Sequence, residues 1–121
     1  MQLGNMTGRR VFLSGPMTGM PNWNRELFDE AEKYVRGKGA KSVYNPAKLA
    51  PSGRVQPRQH AEYMRETLHE LTASSDTRGT NRNQRGLYYD AIVLLPGWKS
   101  SVGARMEMAV AESIGMEVIE L

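Results

Sequence analysis

The chain has no cysteine, which excludes disulfides and thiolate metal sites. That usage suits a reducing compartment, and the location expected is cytoplasmic. Its two histidines, His60 and His69, stand nine residues apart and so do not share a helix face; no metal site is expected. No apolar run approaches the roughly 20 residues that span a bilayer, and the start of the chain carries no signal-peptide core, so no membrane partner is expected. Aromatic residues are few, and none interleaves the arginines of Arg78–Arg85 (RGTNRNQR). A stacking platform for single-stranded nucleic acid is therefore missing, and nucleic acid is not the expected partner. The glycines of SGPMTG (14–19) are not followed by Gly-Lys-Ser/Thr, nor do they keep the dinucleotide spacing, so neither a P-loop nor a Rossmann fingerprint is present. No internal repeat or low-complexity tract occurs.

What is there reads as one domain. The 121 residues, 40% apolar and 24% charged with a net charge of +3, suffice for a single core and leave little room for a second. Residues 1–9 are expected to form a flexible leader, and 10–121 the folded domain. Arg10–Ser14 is a short apolar strand that runs into a turn punctuated by Gly15, Pro16 and Gly19. Apolar residues at 23, 27, 28, 31, 34 and 35 predict a helix, with Asn22 or Asn24 as cap and Gly37 and Gly39 as stop signals. Ser42–Asn45 is a second strand, ended by Pro46. An irregular section runs through Pro57, and Ala61, Met64, Leu68 and Leu71 mark a second helix. Residues 72–87 are polar and without periodicity, a long loop of the kind that is often functional. Within it Arg78–Arg85 is either a solvated loop or a phosphate-contacting one. Tyr89–Leu95, apolar on consecutive positions, reads as a strand covered on both faces. Val102, Met106, Ala109, Val110 and Ile114 predict the buried face of a third helix, and 116–121 a last strand. Strands alternating with helices predict an α/β fold with a doubly wound parallel sheet. Ligands in such sheets sit beyond the C-terminal strand ends, so the turns at Ser14–Gly19 and Pro96–Gly103 are expected to face each other across a cleft.

The stretch Tyr88–Ala111 (YYDAIVLLPGWKSSVGARMEMAVA) concentrates the chemistry. A turn carrying Pro96, Gly97, Trp98, Ser100 and Ser101 feeds a helix start, whose free N–H groups and dipole suit an anion such as phosphate. One serine of the pair serves as the cap and the other is left to bind. Glu107 lies four and three residues after Gly103 and Ala104. Helical side chains lean toward the N-terminus, so its carboxylate looks over the two smallest residues, beside the anion seat. A carboxylate beneath a sugar can attack the anomeric carbon, as retaining glycosidases do. Trp98 is either core or the wall of a base pocket. Asp90, at the start of a buried strand, is either structural or part of the site.

VFLSGPMTG near the start and DAIVLLPGWKSSVGARMEMAVAESIGMEVIE near the end resemble the nucleoside 2-deoxyribosyltransferase-like superfamily, and within it the small bacterial and phage branch of the DUF4406 type. The resemblance covers most of the chain from Arg10 onward, the loop 72–87 excepted. It implies a single-domain flavodoxin-like sheet of about four to five strands, with Glu107 on the catalytic nucleophile and SGPMTG on the loop that cradles the sugar. Ser101 and Gly103, six and four residues before Glu107, fall where the superfamily's nucleoside 5′-monophosphate N-glycosidases receive the phosphate. Deoxyribosyltransferases proper tend to carry aspartate at the serine position, which repels phosphate, so Ser101 favours a nucleotide. The activity implied is cleavage of an N-glycosidic bond or 2-deoxyribosyl transfer. Ser14, Gly15, Ser100, Ser101 and Gly103 would hold sugar and phosphate, with Met17 and Trp98 flanking the base and no cofactor. Both enzyme groups carry an aspartate some 24–26 residues before the glutamate; Asn81, Arg82 and Asn83 stand there in this chain. Asp76 and Asp90 remain as alternatives for the acid partner. The resemblance also implies at least a homodimer with shared sites. The rival readings are a non-catalytic nucleotide-binding or sensor module and a nucleic-acid-associated protein using the arginine loop.

Overall fold

The computed structural model describes residues 3–49, 57–74 and 86–121. Four strands, β1 (Arg10–Ser14), β2 (Ser42–Tyr44), β3 (Ala91–Leu94) and β4 (Glu117–Glu120), form one sheet in the order β2-β1-β3-β4. All neighbours pair in parallel. Three helices flank it: α1 (Arg25–Gly37), α2 (Pro57–Leu71) and α3 (Val102–Ser113). The α/β fold with a parallel, flavodoxin-like sheet is the one expected.

Side chains alternate across a strand, and that alternation divides the core in two. Val11, Leu13 and Val93 pack with Phe28, Ala31 and Val35 of α1 on one face. Phe12, Ile92 and Leu94 pack with Leu71 of α2 and Ala111 of α3 on the other. Phe12, Phe28 and Ile92 are fully buried, each worth about 1.5–3 kcal/mol of hydrophobic stabilisation. Because α1 covers one face and α2 and α3 the other, the chain reverses its winding between β1 and β3. Their C-terminal ends are the switch point where a crevice opens.

Four expectations need correction. Residues 3–9 are not a flexible leader: Leu3 and Met6 are 8% and 2% exposed, and the Met6 N–H donates to Lys38 O at 2.8 Å. The side chains of Leu3 and Met6 dock this segment beside α1. The helix expected from Trp23 begins only at Arg25, because Asn22, Trp23 and Asn24 have φ of 50°, 57° and 60°. Neither asparagine caps the helix through its side chain; Asn24 Nδ2 donates instead to Pro16 O at 2.9 Å, tying down the turn after β1. Pro57 opens α2, a first-turn position that its fixed φ suits, and does not belong to the irregular section before it.

The fourth correction concerns α3. Of the face expected to be buried, Val110 and Ile114 do pack, half-buried, against the core. Val102 and Met106, however, are 66% and 50% exposed and Ala109 is exposed as well, while Ala104, Glu107 and Ala111 are buried. Two stripes at helical spacing compete on this helix. The one with small residues turned inward, carrying a carboxylate with it. Of the loop expected at 72–87, Ser74 and Leu87 close an antiparallel bridge, while 75–85, including Asp76, Arg78, Asn81, Arg82, Asn83 and Arg85, lie outside the described residues. Among the described residues, no helix is long and apolar enough to cross a membrane.

Candidate active site

Ser14 ends β1 on the same face as Phe12, the face covered by α2 and α3. Its hydroxyl therefore points at α3, where it donates to Glu107 Oε1 at 2.6 Å. Ser14 is fully buried and Glu107 is 5% exposed. Burial pushes the Glu107 carboxyl above the ordinary carboxylate range, while hydrogen bonding from Ser14 and from Thr67 pulls the other way. Thr67 is fully buried on α2, and its hydroxyl also reaches Met64 O at 3.2 Å. The carboxylate is thus sequestered from bulk water but provided with hydroxyl partners.

The turn from β3 to α3 is shaped by Gly97, whose φ of +88° suits glycine. A short 3₁₀ turn, Trp98–Ser100, follows, and Ser101 is the cap of α3: its Oγ accepts from Ala104 N at 3.1 Å. Capping uses the Ala104 N–H and the Ser101 carbonyl takes Arg105 N–H at 3.0 Å, so the N–H groups of Val102 and Gly103 are the helix donors without an intrahelical partner. The two turns at the strand ends abut closely. A Cβ on Gly15 would meet Leu95 Cβ at 2.9 Å and one on Gly97 would meet Pro16 Cγ at 3.3 Å, while on the α2 side one on Gly103 would meet Met64 Sδ at 3.1 Å.

Between the turns lies a cavity of about 610 Å³. Gly15, Pro16, Met17, Thr18 and Met20 line it from the β1 side, and Ser100–Ala104 with Glu107 from the α3 side. Pro46 after β2 and Tyr63 and Met64 of α2 complete the wall. The lining is largely apolar, with one carboxylate set next to a helix start. Such a site can hold a ligand with an anionic end and a flat apolar end, and can present a carboxylate as base or nucleophile.

Gly15, Met17, Ser100, Ser101, Gly103 and Glu107, all singled out from sequence, come together here, and the two turns face one another as expected. Ser14 stands behind Glu107, as its hydrogen-bond donor, and is not part of the cavity wall. Trp98 is not in the wall either: its indole N–H donates to Glu120 Oε1 at 2.9 Å and its ring packs on the α2–α3 side of the core. Asp90 is at the wrong end of the sheet. Its Oδ2 accepts from Arg10 N at 2.8 Å, at the start of β1, and Ser14 lies four residues up that strand, about 13 Å away at about 3.3 Å per residue. A parallel sheet separates the two ends of its strands, so a residue that opens β3 cannot serve a site where β3 closes.

Sequence reasoning passed over Tyr63, Met64, Thr67, Pro46 and Met20. Met64, Thr67 and Leu71 follow helical spacing on α2, and that stripe was the available signal. Tyr63 Oη donates to Met17 Sδ at 2.8 Å or to Pro46 O at 3.2 Å. Burial, then the Glu107 carboxylate, Tyr44 and Glu66, push its phenol well above the usual range. Among the described residues, no three or more side chains of metal-ligating type gather.

The architecture is that of an α/β protein with a ligand cavity at the switch point of its sheet. Residues 9–77 and 84–120 match the family described as Domain of unknown function (DUF4406), and the chain belongs to that family. No curated protein and no solved structure matches it.

Proposed function

We propose that this protein cleaves the N-glycosidic bond of a nucleotide, by hydrolysis or by 2-deoxyribosyl transfer, with Glu107 as the nucleophile on C1′. The observation that carries the reading is the buried Glu107 carboxylate, exposed only to a cavity and set next to the free N–H groups of a helix start. The resemblance to nucleoside 2-deoxyribosyltransferase-like enzymes supports it. The phosphate sits at the Val102 and Gly103 N–H groups with the Ser100 and Ser101 hydroxyls, which favours a 5′-monophosphate over a nucleoside. Glu107 attacks C1′ as the base departs through an oxocarbenium-like state, and the glycosyl-enzyme then passes to water or to a second base. Ser14 holds the carboxylate in place and favours its ionised form. No metal or redox cofactor takes part in this scheme. Self-association belongs to the same reading, and the outward side of α3 at Val102 and Met106, beside the cavity, is the surface assigned to it.

Base release from a panel of nucleosides and 5′-monophosphates, wild type beside Glu107→Gln, tests the proposal. Release by the wild type only, faster from the monophosphates, is expected; equal release by both proteins, or none by either, rejects it. One observation favours a non-catalytic nucleotide-binding module: burial drives Glu107 toward its neutral form, which does not attack carbon. Nucleotide binding without turnover, unchanged in Glu107→Gln, would select that reading.

A further inference from the structure

Tyr63 reaches the cavity from α2, an element separate from those that carry Glu107 and the helix start. Its hydroxyl lies on the β1–β2 side of the cavity, 2.8 Å from Met17 Sδ and 3.2 Å from Pro46 O. One proton is shared between these acceptors, and the nearer is a thioether, a weak one. A phenol so placed loses little by turning to a stronger acceptor on a ligand. It also keeps its proton throughout the neutral range, since burial and the neighbouring Glu107 carboxylate oppose its ionisation.

In a nucleotide the 5′-phosphate hangs from C4′ and the base from C1′, at separate corners on one face of the sugar. A nucleophile that displaces the base meets C1′ from the other face. With the phosphate at Val102 and Gly103 and C1′ at Glu107, the base lies toward the remaining wall, formed by Met17, Pro46 and Tyr63. Met17 and Pro46 offer apolar surface to its faces. Tyr63 offers an O–H on this wall, where Thr18, beside Met17, also lines the cavity.

On the premise that the substrate is a nucleotide, we propose that Tyr63 is a catalytic residue that hydrogen-bonds the departing base. As a Glu107 oxygen forms its bond to C1′, the C1′–N bond breaks and its electron pair goes to the base. Negative charge grows on the base ring, and the hydrogen bond from the phenol strengthens with it. Tyr63 retains its proton, and the free base takes one from water. In hydrolysis a second water then adds to C1′, the ester bond to Glu107 breaks with its pair returning to the carboxylate, and the water's proton leaves to solvent.

Tyr63→Phe keeps the ring and removes only the hydroxyl. Base release is measured for 2′-deoxyuridine 5′-monophosphates bearing 5-methyl, 5-fluoro and 5-nitro groups, in order of rising N1 acidity, with a parallel series of 6-substituted purines. Loss of one transition-state donor is expected to lower kcat on the least acidic base by about 10²–10³-fold, with KM little changed. The loss should shrink as the leaving nitrogen becomes more acidic, because a better leaving group needs less stabilisation. A purely structural tyrosine would depress every substrate equally. Release by the wild type with the same loss across each series, with no loss, or with a change in KM alone overturns the assignment while leaving the nucleotide reading intact. Absence of release by the wild type from every substrate overturns both.

Discussion

Ser14→Ala isolates the one hydrogen bond that ties β1 to the Glu107 carboxyl. The bond is 2.6 Å long and buried at both ends. A hydrogen bond to an ionised group is worth about 1.5–3 kcal/mol, against about 0.5–1.5 kcal/mol for a neutral pair. Removing the hydroxyl therefore costs the ionised form more than the protonated one, which moves the ionisation of Glu107 further upward. The direction follows from the causes: burial already raises this carboxyl, and Ser14 is one of two hydroxyls opposing it. A group raised in the folded state contributes stability that is fully present below its unfolded value and lost as pH rises through the folded one. The variant deepens that loss. Urea unfolding should thus show Ser14→Ala less stable than wild type, and by a wider margin at alkaline pH than at pH 4. Carbon-13 NMR of the Glu107 carboxyl should titrate higher than in the wild type, and the acid limb of kcat/KM for base release should move with it. Equal destabilisation at both pH values, with an unmoved carboxyl titration, would refute the coupling of Ser14 to Glu107.

Asp90→Ala should lower stability by about 1–3 kcal/mol through loss of the acceptor for Arg10 N–H, yet leave kcat/KM of the folded protein within about twofold; a loss of several hundredfold would return Asp90 to the chemistry. Met106→Glu places a charge on the exposed side of α3 and should shift the sedimentation coefficient toward that of a monomer, whereas a wild type already monomeric at micromolar concentration would remove the assigned interface.

The buried Glu107 shows both the reach and the limit of reading the chain alone. Its small neighbours Gly103 and Ala104 were visible because helical side chains lean over the preceding turn, a rule that needs only local spacing. The serine cap and the glycine turn before α3 were equally legible, since capping and positive φ are set within a few residues. Ser14 was legible as a site residue but not in its role. A hydroxyl that ends one strand can meet a carboxylate ninety-three positions later only when the sheet order is known. Asp90 was misplaced for the same reason: closeness in sequence to the β3–α3 turn says nothing about which end of the sheet a residue occupies.

By itself the sequence determined the alternation of strands and helices, the two glycine turns and the position of the carboxylate, because each is written in nearest-neighbour periodicity and backbone preference. Tertiary structure alone decided which stripe of α3 turned inward. Val102, Met106 and Ala109 are the more apolar choice, but Ala104 and Ala111 are the buried ones, and Ser14 and Thr67 supply hydroxyls for the glutamate between them. It also decided that Leu3 and Met6 dock beside α1 and that Tyr63 of α2 closes the cavity. Those outcomes depend on packing between elements distant in the chain, which no local pattern encodes.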